Sequence, residues 1–220
     1  MCRFKSGIIL KNRVVIAPGE NDSHSGLLES LGIADNYIGA TKTFVRAELV
    51  PADDAWWISP EESPEKWLFV VDQDIVPDWF EGSEYEKTFR DAVCDWWKAH
   101  VLVDQKIDEL SSGYYRLKRC EVKKLCNDVK VLLDESNVGE MWGSSQVGTM
   151  RGSSQVGTMR ESSQVGEMWE SSQVGTMRES SQVGEMWGSS TARDYKRYPD
   201  IKIWVSPEGK FEMIAHKNKK

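Results

Sequence analysis

The chain has 220 residues, 40% of them hydrophobic and 29% charged, with a formal net charge of −7. That composition belongs to a folded protein, and no apolar run approaches the roughly 18 residues needed to span a bilayer or provides a signal-peptide core, so a cytoplasmic location off the membrane is expected. Nucleic-acid duplexes call for a clustered basic stripe; only the Lys217-Asn218-Lys219-Lys220 tail offers one, so direct nucleic-acid binding is disfavoured.

Residues 1–105 read as an α+β domain. Gly7 to Leu10 and Arg13 to Ala17 form two strands turning at Lys11-Asn12. Asp22 or Ser23 caps a short helix that carries Leu27, Leu28 and Leu31 and ends at Gly32. Lys42 to Val50 and Lys66 to Val71 are predicted strands. Ser83 and Glu86 make a capping box for a helix reaching about His100, with Tyr85, Phe89, Val93, Trp96 and Trp97 on one face as core.

This domain holds the candidate chemistry. Removal of the initiator Met would leave Cys2 with its own α-amino group as a base, and His24 is the candidate partner of such a nucleophile. Asp72 and Asp74, two apart at the end of an apolar strand, are candidate ligands for a hard cation, although acids there are ordinarily solvated loop. Cys120 and Cys126, with three His in the chain, fit no zinc spacing, and no phosphate loop or hydrolase motif is present, so no cofactor is expected.

Residues 106–190 are a tandem array. From Asp134 the chain reads DESNVGEMW, GSSQVGTMR, GSSQVGTMR, ESSQVGEMW, ESSQVGTMR, ESSQVGEMW, with Val and Met each recurring every nine residues. Nine residues turn an α-helix through about two and a half turns, so successive Val residues would alternate between opposite faces and no apolar stripe could form. A β-arch accommodates the pattern: Val138 and Met141, three apart, share a core if the strand bends between them, at Gly139. Looser pairs at Ile107/Leu110, Tyr114/Leu117, Val122/Leu125 and Val129/Leu132 extend the array upstream.

The expected fold of the array is thus an all-β short-period solenoid with two units per coil. Its Gln residues stack as amide ladders. One side carries Trp142, Arg160 and Arg178, the other Arg151, Trp169 and Trp187. These six form the candidate binding surface, because Trp and Arg are enriched at interaction hot spots. Residues 191–220 read as a C-terminal β-hairpin cap, with Asp200 to Val205 and Lys210 to His216 joined at Ser206-Pro207-Glu208-Gly209 and shielding the open edge of the last coil.

The opening CRFKSGIIL, the segment VDQDIVPDW, and the SSQVG[ET]M[WR] units followed by ARDYKRYP resemble a group of proteins of gut bacteria, their phages and mobile elements, which join a small N-terminal domain to variable repeat arrays. The resemblance implies a phage or mobile-element origin and brings no activity with it. A non-enzymatic interaction or scaffold protein is expected. It would bind a protein partner, a host macromolecule or signal, through the N-terminal domain or the solenoid face, with oligomerisation through solenoid or cap. The alternative is a Cys2-dependent hydrolase or transferase.

Overall fold

In the computed structural model, which describes residues 4–19, 22–195, 204–205 and 210–214, the chain divides into two units, Met1–His100 and Val101–Lys220. The first unit is built on a four-stranded antiparallel sheet. Its elements are β1 (Lys5–Leu10), β2 (Arg13–Ile16), α1 (His24–Ser30), α2 (Tyr37–Lys42), β3 (Phe44–Pro51), β4 (Trp67–Val71) and α3 (Gly82–His100), with the sheet in the order β2-β1-β3-β4. Ser23, not Asp22, caps α1 by accepting from the Gly26 amide at 3.2 Å.

Three sequence expectations change here. Residues 37–42 form α2, capped by Asn36, so the strand expected from Lys42 begins at Phe44. Helix α3 begins at Gly82, one residue ahead of the expected cap Ser83. Glu86 accepts from Arg90 Nε at 2.8 Å, so its carboxylate is committed within the helix surface.

Side-chain alternation sorts the sheet into two covered faces. Lys5, Gly7 and Ile9 point to one, and Ser6 and Ile8 to the other. On the first, Phe89, Val93 and Trp96 of α3 are buried, as the helical spacing predicts, while Tyr85 and Trp97 of the same expected face are only half-buried, and a Cβ added at Gly7 would lie 2.7 Å from the Phe89 ring. Lys5 is fully buried there. Its ammonium sits 3.9 Å from the centre of the Trp96 ring and 2.7 Å from Asp22, which neutralises the charge where water is excluded. The second face is covered by α1 and its flanking loops, with Ile8, Leu27, Leu28 and Phe44 at its centre.

The second unit is a parallel β-solenoid. Its strands are β5 (Val101–Val103), β6 (Lys106–Leu110), β7 (Tyr114–Lys118), β8 (Glu121–Leu125), β9 (Lys130–Asp134), β10 (Asn137–Met141), β11 (Gln146–Arg151), β12 (Gln155–Met159), β13 (Gln164–Met168), β14 (Gln173–Met177), β15 (Gln182–Met186), β16 (Thr191–Tyr195), β17 (Trp204–Val205) and β18 (Lys210–Ile214). Even-numbered strands from β6 to β18 form one sheet and odd-numbered strands from β5 to β17 the other. Val138 pairs with Val156 and Val147 with Val165, so each coil takes two nonapeptides. The solenoid sheet already contains β5, ahead of the first apolar pair at Ile107/Leu110.

The interior is a double column of Val and Met, from Val138 and Met141 to Val183 and Met186, each no more than 2% exposed. Each such side chain contributes about 1.5–3 kcal/mol on burial. Every corner described carries a left-handed residue: Gly at 113, 143, 152 and 188, and Asp104, Arg119, Asn127, Glu135, Glu161, Glu170 and Glu179 elsewhere. A non-glycine residue pays about 1 kcal/mol for that conformation. The glutamates recover part of it, since Glu161, Glu170 and Glu179 each accept a backbone N–H from the corner one coil earlier, at 2.6, 2.5 and 2.7 Å.

In the irregular coils two of the expected inward pairs are displaced. Tyr115 and Leu117 pair with Val131 and Leu133, so β7 and β9 are plain strands in which alternate residues face the core. Of the pairs Tyr114/Leu117 and Val129/Leu132, Leu117 and Val129 do enter the core, but Tyr115 and Leu133 replace Tyr114 and Leu132 there, and the change to three-residue spacing is absorbed as a register shift between β9 and β11. The Gln residues align in two columns, but among the described residues their side chains form no amide ladder, and the bonds between coils there are main-chain ones such as Gln155 N–H to Ser136 O at 3.0 Å.

The C-terminal hairpin is corrected as well. Strand β17 pairs in parallel with β15 and β18 in parallel with β16, so the two strands extend opposite sheets of the solenoid. A turn signal at Ser206–Gly209 is equally compatible with a coil corner. That turn and the Lys217–Lys220 tail lie outside the described residues.

Candidate functional site

On the α1 face of the first unit three side chains converge that the sequence scatters. His24 is the first residue of α1, Glu48 lies in β3, and Asp72 follows β4. One ligand atom from each lies within 4.8 Å of the others. His24 and Glu48 are each 5% exposed, whereas the Asp72 side chain is 57% exposed, so the cluster opens to solvent on the Asp72 side. A carbonyl oxygen can only accept, so His24 Nε2, 3.1 Å from Ala47 O, carries the proton. That fixes Nδ1 as the nitrogen facing Asp72 Oδ2, 3.4 Å away.

The segment after β4 is held by Gln73. Its Nε2 donates to the carbonyls of Ala40, Phe44 and Ile75, and its Oε1 accepts from the Arg46 amide. Arg46 in turn pairs with Asp35. The Asp72 backbone is thereby anchored to β3, through its own N–H to Arg46 O at 2.9 Å. Asp74 is exposed and stands outside the cluster. Two carboxylates two apart in sequence thus separate in space, and the partners of Asp72 come from other elements. Cys2 lies outside the described residues. Loss of hydration pushes the thiols of Cys94, Cys120 and Cys126 above the ordinary cysteine value, which makes them poor nucleophiles.

Sequence reasoning passed over Glu48. In Phe44–Pro51 the residues Val45, Ala47 and Leu49 read as the buried side, which leaves Glu48 on a face that looks solvated. The signal available was α1 itself, whose Leu27 and Leu28 need a sheet face to cover.

The solenoid presents the second candidate surface. The column Trp142, Arg160, Arg178 runs along one corner and Arg151, Trp169, Trp187 along the other, as the eighteen-residue coil requires. Arg160 sits over the Trp142 ring at 4.7 Å. The Trp169 and Trp187 rings are stacked at 5.2 Å with 9° between their planes. Arg151, Trp169 and Arg178 are exposed, and the other three are half-buried. The indole N–H of each Trp donates to the Glu two residues earlier, Trp142 to Glu140 at 2.7 Å, Trp169 to Glu167 at 2.8 Å and Trp187 to Glu185 at 3.2 Å. This gives a physical reason why Glu accompanies Trp in every unit: side chains two apart on a strand share a face. Among the described residues no helix is long and apolar enough to cross a membrane. Comparison with protein-family models, with curated proteins and with solved structures finds no match to this chain.

Proposed function

We propose that the protein is a non-enzymatic interaction protein whose solenoid offers two rigid ledges, one richer in Arg and one richer in Trp, to a protein partner. The observation that supports this most directly is the Trp169–Trp187 stack, with Trp169 exposed and Trp187 half-buried, continued by exposed Arg151 along the same corner. Stacked rings on a parallel sheet are pre-ordered, so a partner would lose little side-chain entropy in covering them. Aromatic and Arg side chains dominate binding energy at such surfaces, and the indole–Glu bonds fix the ring planes. In keeping with the sequence resemblance, we place the protein in a phage or mobile element, with a host macromolecule as its target. Cytoplasmic action and oligomerisation along the solenoid belong to the same reading.

The test is affinity capture from host lysate with the full chain and with Trp169→Ser/Trp187→Ser. A partner retained by the full chain and lost by more than about tenfold in the variant, at unchanged melting temperature, is the expected result. Equal capture by both proteins would count against the ledge.

A further inference from the structure

We propose that His24, Glu48 and Asp72, with the Ser6 hydroxyl, form a binding site for one divalent first-row cation of the zinc class. The argument begins with the His24 tautomer. Its Nε2 proton is committed to the Ala47 carbonyl, the arrangement that in metal sites orients an imidazole and raises its basicity toward the ion. The other nitrogen then meets a carboxylate oxygen at 3.4 Å. Two donors each about 2.1 Å from a tetrahedral ion stand about 3.4 Å apart, so the spacing already suits a shared ion. Glu48 adds a second carboxylate from the sheet beneath, within 4.8 Å of both.

A second observation points to the same place. Ser6 is directly opposite Glu48 in the β1–β3 pairing, so both side chains project from the same face of the sheet. Ser6 is fully buried, and its hydroxyl has no hydrogen-bond partner among the described residues. An unsatisfied buried hydroxyl costs about 1–3 kcal/mol, and a cation held between Glu48 and His24 would supply what it lacks. One nitrogen and three oxygens select zinc, manganese or iron(II) over calcium, whose sites are all oxygen, and over thiolate-seeking ions. The exposed edge at Asp72 leaves a coordination position open to water, so an anionic ligand could complete the shell from solvent.

The experiment uses the untagged full chain, stripped with chelator and titrated with Co2+ as a spectroscopic stand-in, then challenged with Zn2+. Visible ligand-field bands that saturate near one equivalent and are displaced by Zn2+ but not by Mg2+ are expected. Asp72→Asn, at an exposed position that leaves folding intact, lowers Co2+ affinity by at least about tenfold, and Glu48→Gln does the same. Asp74→Asn leaves affinity unchanged. Zn2+ also raises the melting temperature of the native chain and not of Asp72→Asn. Absence of saturable bands, binding unaltered in Asp72→Asn, or near-ultraviolet charge-transfer bands that assign the ion to the cysteines would each overturn the proposal.

Discussion

Along the first coils of the solenoid, outward side chains one coil apart carry opposite charges. Lys106 meets Glu121 at 3.0 Å, Lys123 meets Asp108 at 2.6 Å, Lys124 meets Glu109 at 3.5 Å, and Arg119 grips both oxygens of Asp104 at 2.7 Å. From β10 onward most stacked positions repeat the same residue, as with Thr158 on Thr176, Glu167 on Glu185 and Trp169 on Trp187, while Glu140 meets Thr158 and Arg160 meets Trp142. Columns of like residues cannot pair by charge, and an ion pair forms where unlike units adjoin, Arg160 with Glu140 at 3.7 Å. Glutamates there turn to indole and backbone N–H groups. Similar apolar interiors are therefore held together sideways mainly by complementary charge in one half and mainly by hydrogen bonds and ring contacts in the other.

The glycine of the repeat sharpens the contrast. Its place in β10 is taken in β8 by Lys123 and in β6 by Asp108, yet Val122 and Leu125 keep the three-residue inward spacing. The bend at this position thus tolerates a side chain. What requires glycine is close approach between coils: a Cβ on Gly157 would lie 2.5 Å from the Gly139 carbonyl oxygen, and one on Gly184 2.5 Å from that of Gly166.

The largest expected effect falls on what the two halves share. Val122→Asp and Val156→Asp each place an unpaired carboxylate in the apolar interior and should cost more than about 4 kcal/mol in denaturant unfolding. A marked inequality between them would mean that the cores differ in water access. Next, Gly157→Ala forces neighbouring backbones apart and should cost about 1–3 kcal/mol, whereas Lys123→Ala at the equivalent place in β8 should stay within about 0.5 kcal/mol. Equal costs would break the distinction between bend and close approach.

Acid separates the halves differently. Hydrogen bonds from Arg119, Lys123 and Cys126 hold the carboxyls of Asp104, Asp108 and Glu109 below their ordinary values. Groups depressed in the folded state stabilise it fully above their unfolded pKa of about 4, and that contribution is lost as pH falls through the folded value. Hydrogen exchange from about pH 5 to about pH 3 should therefore show protection falling in 106–125 before it falls in 155–177. Loss in the reverse order would remove the role given to these ion pairs. The smallest effect is expected for Arg160→Trp, which exchanges a cation–π contact with Trp142 for a ring stack like Trp169–Trp187 and should change stability by no more than about 0.5 kcal/mol.

The sequence by itself determined the solenoid, because a nine-residue period is incompatible with a helical stripe and the Val and Met positions must all face inward. Coil size, corner columns and the buried face of α3 were legible for the same reason: periodic burial leaves a periodic trace. Tertiary structure alone decided the rest. Ser136, Ser145 and their equivalents every nine residues are fully buried, although serine is a residue mostly found at the surface. The straight strands β7 and β9 depart from the repeat spacing and pair with each other in register, with the shift falling only where β9 meets β11. The joining of His24, Glu48 and Asp72 depends on a sheet order and helix placement that no local pattern encodes. Contacts between residues dozens of positions apart arise from chain topology, and single polar side chains carry no period by which to find them.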